Sequence, residues 1–470
     1  MLFAILLSVF VFSKQSLRLD ESQSLWQTSR NIPGIIHLVG LDVHVPLYHI
    51  LLHFWELMFG NGVATSRTFS MIFFLLSIPG MYFLGSLAYS RRIGLFSAAL
   101  LTVSPFMNWY GNEIRMYSLF TFIVIVNQYY FIRIYRRGGK SSWWGYAISA
   151  LLGIYTHYFF FLNIFTQGLF FLFNKDIFPK DSFKRFLKIG GILALCFLPW
   201  VIYKLSLGGL SNTSPLIAPP TSVNVSNTFA QFLFGFQDDH LNTILVSLWP
   251  LTVLLGFWAL RQNRKVTPET VYFISSVIIP IITAFVISTF FLPVYVSRYL
   301  IFTTPSLFLF LSWLLYSYPK FFSTIAKTIL LAVMLIALSV QAFSANTPVK
   351  EDYRDVAVYL SQHAAPQDVI AVSAPFTIYP IEYYYNGPAG LNTLPVWDRY
   401  ANGPIPGYSP EELDKDVTTL KGTHQNLYLV LSYDQGYQSD IKSYFDTHFQ
   451  KLGEQHFSPG LDLYVYKLKY

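Results

Sequence analysis

The sequence predicts a polytopic α-helical membrane protein that ends in a small α/β domain, and three observations predict it. Apolar runs of about 20 residues, the length that crosses a bilayer core, recur along the first 344 positions; TSRTFSMIFFLLSIPGMYFLGSLAY at 65–89 is one. Only 12% of the chain is charged, against 53% hydrophobic and 18% aromatic, and a soluble domain carries about twice that charge. From about residue 345 the pattern changes to alternating strands and capped helices.

Periodicity places spans at 2–17, 65–89, 94–110, 116–133, 142–157, 158–173, 187–204, 241–260, 269–291, 299–317 and 321–343. Met1 to Phe12 lacks the basic flank and small-residue cleavage site of a signal peptide, so it reads as a short first span. The stretch PLYHILLHFWELMFG, 46–60, reaches roughly 22 Å as a helix, short of a ~30 Å hydrocarbon core. Its His49, His53 and Glu56 form one polar stripe, and it reads as an interfacial helix. Charge supports that choice. With 46–60 lying flat, Arg91, Arg92, RIYRRGGK (133–140), NKDIFPKDSFKRFLK (174–188), RQNRK (261–265) and Lys320 all fall on one side. The excess of Lys and Arg makes that side cytoplasmic. Eleven spans then leave the N-terminus inside and put residues 18–64, 111–115, 205–240, 292–298 and the C-terminal domain outside, in a plasma-membrane protein.

The C-terminal part, 345–470, reads as a soluble extracytoplasmic domain, distinct from the transmembrane module 1–344 with its first outer loop 18–64. YRDVAVYLSQHAAPQDVIAVSAP gives a helix, a turn at Pro366 and Asp368, then a strand. SPEELDKDVTTLKG is a helix opened by Ser409 with proline at its first position. NLYLVLSY and LDLYVYKL read as strands. No glycine-rich strand–helix turn for nucleotide phosphates is present. The net charge of +7 is what cytoplasmic loops require and gives no argument for a nucleic-acid partner. The single cysteine, Cys196, excludes an internal disulfide and a cysteine metal site.

The unusual residues lie in the outer loops. Asp20 and Glu21 follow the first span, Asp42 and His44 precede the interfacial helix, Glu113, Arg115 and Tyr117 sit in NWYGNEIRMYSL, and Arg298 and Tyr299 open the tenth span. Each has a structural alternative. The acids fit a solvated turn, Glu113 and Arg115 a structural ion pair, Arg298 a side chain snorkelling to headgroups, and His157 a packed aromatic-belt residue. Asp42 and His44 with Asp20 are also oxygen and nitrogen donors, so a divalent metal stays open beside the expectation of no cofactor. Their expected coincidence on one face favours chemistry. A carboxylate there can take a proton from a hydroxyl nucleophile, and a guanidinium can hold a phosphate through paired N–H donors. That combination suits sugar transfer from a lipid-linked phosphate.

The ordered series LDESQSLW, DVHVPLYHILLHFWELMFG, LTVSPFMNWYGNEIRMYSL, VSRYLIFTTPSL and KEDYRDVAVYL resembles the GT-C fold membrane glycosyltransferases. Within that group it is similar to protein O-mannosyltransferases and aminoarabinose lipid A transferases, the glycosyltransferase family 39-like proteins. The resemblance covers most of the chain and is strongest over 18–120. It implies a polyprenyl-phosphate sugar donor, a hydroxyl acceptor (protein, lipid or glycan), and an extracytoplasmic site with an acid in the first outer loop as base. Asp20 matches that acid, followed by Glu21 as in the mannosyltransferase Asp-Glu pair, with Glu21 expected to orient the acceptor or the surroundings of Asp20. Arg298 and Arg115 are the candidates for the donor phosphate, and Asp42 and His44 match the polar pair that precedes the interfacial helix and are expected to shape the sugar pocket. The His-Val-Pro here departs from the commoner His-Pro-Pro. Two other readings stand beside the enzyme: a transporter or flippase of lipid-linked sugars, and a non-catalytic envelope scaffold.

Overall fold

The structure, a computed structural model, describes residues 2–11, 15–208, 218–236, 247, 261, 266–344, 350–399, 405–422 and 424–469. Its contacts divide into two compact units, one formed by 1–13 with 35–347 and the other by 14–34 with 348–470. Residues 14–34 cluster with the C-terminal part of the chain.

In chain order the helices are α1 (Leu2–Phe10), α2 (Leu19–Thr28), α3 (Ile32–Leu41), α4 (Leu47–Phe59), α5 (Val63–Ala88), α6 (Arg91–Val103) and α7 (Pro105–Gly111). They continue with α8 (Tyr117–Arg136), α9 (Lys140–Ile154), α10 (Phe160–Phe173), α11 (Ser182–Ser206), α12 (Ser222–Phe234) and α13 (Pro268–Phe290). A 3-10 turn, Ser297–Thr303, leads into α14 (Thr304–Tyr316), and α15 is Lys320–Phe343. Among the described residues six helices are long and apolar enough to cross a membrane: α5, α8, α11, α13, the 297–316 pair and α15. Their surroundings differ. Only 17% of the most apolar window of α11 and of α15 is buried, against 72% for α8 and for 297–316. The first two therefore present apolar side chains outward, as lipid-facing helices do, while the others form the centre of the bundle.

Several expected spans differ locally, for identifiable reasons. The run 94–110 breaks at Ser104, whose hydroxyl accepts the Met107 N–H and restarts a helix with Pro105 at its first position, where the missing proline N–H costs nothing. The first run is helical only to Phe10. The first outer loop, 18–64, holds the expected interfacial helix as α4 and two further, unexpected helices, α2 and α3. The outer loop 205–240 holds α12, while its 209–217 and 237–240, and the expected span 241–260 apart from residue 247, fall outside the described residues.

Close helix contact in the bundle depends on small residues and on neutral polar side chains. A Cβ placed on Gly94 of α6 would meet the Tyr82 carbonyl oxygen of α5 at 2.5 Å and the Ser86 nitrogen at 2.8 Å. Gly94→Ala is therefore expected to cost about 1–3 kcal/mol by forcing backbones apart, measured as a lower melting temperature in detergent. Deeper in the bundle, Asn127 of α8 accepts from Asn163 (3.0 Å) and Gln167 (2.8 Å) of α10. It donates to Ser149 of α9, and Gln167 donates on to Tyr272 of α13.

The bundle has two chemically distinct ends. At one, Arg136 donates to Glu269 (2.8 Å) and to the Ala88 carbonyl (2.9 Å), and Tyr89 donates to Thr270. This is the end of the basic loops Arg91–Arg92 and 133–140. At the other end meet the 42–47 segment, the α7–α8 and α9–α10 turns, and the start of the 297–303 turn.

The second unit is a sheet covered on both faces. Strands β1 (Val369–Ser373), β2 (Gly390–Thr393), β3 (Asn426–Ser432), β4 (Gln450–Ser458) and β5 (Leu461–Lys467) lie in the order β2-β1-β3-β5-β4. The β2-β1-β3 pairs are parallel and the other two antiparallel. Alternation along β3 sends Tyr428 and Val430 to one face, with α16 (Tyr353–His363) and α17 (Ile378–Tyr384). Leu427, Leu429 and Leu431 go to the other, with α18 (Pro410–Lys421) and α19 (Gln438–His448). The helix, turn and strands expected here form as read. Asp368 closes the turn before β1 by accepting from Ala365 N (2.9 Å) and from the Asn426 side chain (2.9 Å).

Candidate active site

The chain between α3 and α4 is pinned by its backbone. Lys204 of α11 donates to the carbonyls of Gly40 (2.6 Å) and Asp42, and Leu47 N donates to Tyr155 O (3.1 Å) in the α9–α10 turn. Asp42 Oδ1 accepts its neighbour Val43 N at 2.7 Å, and the other carboxylate oxygen lies 3.9 Å from His44 Nε2. Beyond Pro46, Tyr48 shares a 2.8 Å hydrogen bond with Ser70 of α5, and that hydroxyl reaches the Arg115 carbonyl.

His49, one helical step further, is fully buried, and among the described residues neither ring nitrogen has a hydrogen-bond partner. Its ring stacks on His44 with centroids 6.1 Å apart. Burial, then the neighbouring His44 and Arg115, push its pKa down to about 3, and Asp42 opposes the shift. His157, in the α9–α10 turn, is also pushed down to about 3, by burial and then by His44. Its Nδ1 accepts the Phe159 N–H at 3.1 Å, so the neutral ring carries its proton on Nε2. The ring stacks on Phe120 and lies near Tyr117 (6.3 Å) and Tyr299 (5.3 Å). The Arg298 guanidinium sits 5.7 Å from the Tyr299 ring.

Both histidines are neutral when folded and take up protons when unfolded once the pH falls below the ordinary 6.5. The unfolded state then binds more protons, so stability falls as pH drops from about 6.5 toward 3. Each histidine contributes a slope of about 1.4 kcal/mol per pH unit. Thermal unfolding in detergent is expected at lower temperature at pH 5 than at pH 7.5, and His49→Gln should flatten that dependence.

Of the residues expected from sequence, Asp42, His44, Arg115, Tyr117, Arg298 and Tyr299 are thus linked around His49 and His157 at one end of the bundle. Glu113 is buried beside them in sequence, its carbonyl accepting Arg115 N at 2.7 Å. Sequence reasoning left out His49, seen only as part of a polar stripe, and Lys204, hidden in an apolar span. His49 sits five residues beyond His44, in a polar stripe with His53 and Glu56, and Glu56 accepts a hydrogen bond from Ser66.

Asp20 and Glu21 belong to the second unit. Arg18 precedes α2, and its N–H donates to Glu21 Oε2 at 2.9 Å. Glu21 is fully buried, its carboxylate closing the helix start, while Asp20 is half-exposed. The segment is fastened to its own unit. Leu17 N donates to Tyr384 (3.0 Å) and Arg354 N to Ser16 (3.2 Å). Trp26 packs on Tyr379 at 5.1 Å, and Arg399 lies over both rings while paired with Glu382 at 2.6 Å. Among the described residues no group of three or more His, Cys, Asp or Glu side chains is placed to hold a metal ion.

With this geometry in hand, the chain can be set beside known proteins. Residues 43–203 match the family model described as dolichyl-phosphate-mannose-protein mannosyltransferase. No curated protein matches the chain. Among solved structures, ArnT from Cupriavidus metallidurans in the apo state is similar at TM-score 0.67 and 11% identity, over 100% of this chain and 97% of that one. The same protein bound to undecaprenyl phosphate gives TM-score 0.65 at 12% identity, with the same coverage. The Archaeoglobus fulgidus oligosaccharyltransferase gives 0.52 at 14% identity, over 91% of this chain and 67% of that one. The chain thus has the fold of the GT-C membrane glycosyltransferases, and its residues 43–203 carry the mannosyltransferase family pattern.

Proposed function

We propose that the protein transfers a glycosyl group from a polyprenyl-phosphate-linked sugar to a hydroxyl acceptor on the extracytoplasmic face of the plasma membrane. The observation that carries this reading is the joining of a buried arginine, Arg115, and three histidines with Tyr299 and Arg298 at the bundle end opposite the basic loops. The excess of Lys and Arg at the other end supports an outward-facing site and the eleven-span topology. ArnT, which shares the fold, is known bound to undecaprenyl phosphate, which supports a donor of that class.

In the proposed reaction the acceptor oxygen attacks the anomeric carbon and the bond to phosphate oxygen breaks. The acceptor proton goes to the Asp20 carboxylate, and the polyprenyl phosphate leaves with its charge neutralised by Arg298 and Arg115. Neutral His44 and His49 suit sugar hydroxyls, to which an imidazole both donates and accepts. Asp42 shapes the same pocket, and Glu21 orients the helix that carries Asp20. Guanidinium groups supply the charge stabilisation, so the reaction uses no cofactor; turnover is expected to survive exhaustive chelation, measured as transfer rate after EDTA treatment and desalting.

Incubating the purified protein with extracted lipid-linked sugars and membrane extract, then identifying glycosylated products by mass spectrometry, tests the proposal. Transport of the intact lipid-linked sugar without new glycosidic product would favour the flippase reading. Among the described residues the buried amides at mid-length of the bundle, such as Asn127, Asn163 and Gln167, are neutral and hydrogen-bonded, whereas transporters place ionisable groups there.

A further inference from the structure

Of the three histidines in the site, His157 has no part in the proposed reaction. It sits in the α9–α10 turn, walled by aromatic rings. Phe120 stacks on it with centroids 4.8 Å apart, Phe159 meets it edge-on at 5.4 Å, and Tyr117 and Tyr299 lie at 6.3 and 5.3 Å. Packing alone needs no more than this, and a phenylalanine would fill the same place. The imidazole adds a polar group that phenylalanine lacks. Nδ1 accepts the Phe159 N–H at 3.1 Å, and since the ring is neutral its proton sits on Nε2, which points away from that amide. The residue is 6% exposed, and among the described residues the Nδ1 bond is its only hydrogen bond. A buried donor without an acceptor is costly, and native structures keep such groups where something else completes them.

The locked tautomer restricts what can complete this one. Nε2–H only donates, so it suits a group that only accepts. A phosphate oxygen is such a group, whereas a hydroxyl both donates and accepts. His49 makes the contrast: with neither ring nitrogen engaged among the described residues, it can serve a hydroxyl in both senses. Place agrees with chemistry. Tyr299, beside the His157 ring, also carries the Arg298 guanidinium 5.7 Å from its centroid.

We infer that His157 is a phosphate-binding residue, its Nε2–H donating to an oxygen of the donor lipid's phosphate beside Arg298. This rests on the glycosyl-transfer reading, in which Arg298 meets that phosphate. A neutral donor adds a directed hydrogen bond without a further charge, so it fixes orientation where the guanidinium supplies attraction.

Farnesyl phosphate and farnesol, each titrated into the full-length protein in detergent and read by microscale thermophoresis, test it. His157→Phe keeps the stacking and removes the donor. It should weaken farnesyl phosphate binding about tenfold, as loss of one hydrogen bond to a charged group does, and leave farnesol binding unchanged. His157→Gln, whose amide restores an N–H, should recover most of the loss. Size-exclusion chromatography and melting curves select folded protein, and His157→Leu takes the place of His157→Phe if that variant does not fold. Equal farnesyl phosphate affinity in wild type and the donorless variant overturns the inference. So does an equal loss for farnesol, which would assign the ring to packing around the tail. Sugar transfer that persists, with its dependence on Arg298, beside such a result would leave the enzyme reading standing. The tenfold loss in a protein that transfers no sugar would sink the enzyme reading and keep the phosphate site.

Discussion

Asp20→Asn is expected to lower glycosyl transfer by about 10²- to 10⁴-fold, the usual contribution of a general base, with the loss in kcat and little change in KM. The reasoning starts from the division of labour in α2. Glu21 is fully buried and its carboxylate accepts the Arg18 N–H, so it is committed to closing the first turn. Asp20 sits one residue earlier, half-exposed in the first turn, where the helix dipole favours negative charge. Asparagine has the same shape and can still hydrogen-bond, but it cannot accept a proton. Folding and donor binding should therefore persist. Glu21→Gln makes the contrast, because it should act on stability and leave the chemistry of any folded fraction nearly intact. Transfer assays of both variants with melting curves in detergent separate the roles, and wild-type turnover by Asp20→Asn would remove Asp20 from the mechanism.

How far the sequence reveals this arrangement depends on the length scale of the signal. Apolar runs and caps are local, so α5, α8, α11, α13 and α15, and the strands 369–373, 426–432 and 461–467, were readable within a few residues. The breaks were harder. Ser104-Pro105 looks like the interior of one span, and only the side-chain cap at Ser104 shows that two helices meet there. The docking of 14–34 onto the C-terminal unit was not readable at all. It rests on contacts between residues more than 330 positions apart, Ser16 with Arg354 and Leu17 with Tyr384, which leave no periodic trace. The same holds for His49. Its helical spacing marks it as polar, but whether a histidine in such a stripe faces water or a sealed pocket is decided by α5, by the 111–117 turn and by Arg115.

Arg298→Ala should be the second large effect, about 10²- to 10³-fold on use of the phosphate-linked donor, comparable to losing one preorganised donor to a developing negative charge. Arg298 serves the test better than Arg115. Arg115 is 3% exposed among the histidines, so truncating it would disturb packing and the protonation balance of His49 along with any phosphate contact. Arg298 is half-exposed and rests on the Tyr299 ring, so its removal disturbs buried packing less than removal of Arg115 would. If the guanidinium grips the ground-state phosphate, KM for the donor rises. If it neutralises charge that appears as the bond to the sugar breaks, kcat falls as well. Arg298→Lys then discriminates between charge and geometry: lysine keeps the cation but lacks the planar fork, so recovery of part of the kcat with a still-raised KM would point to bidentate binding. Unchanged donor affinity and turnover in Arg298→Ala would transfer the phosphate role to Arg115, where the neutral histidines around it would have to carry the specificity for the sugar.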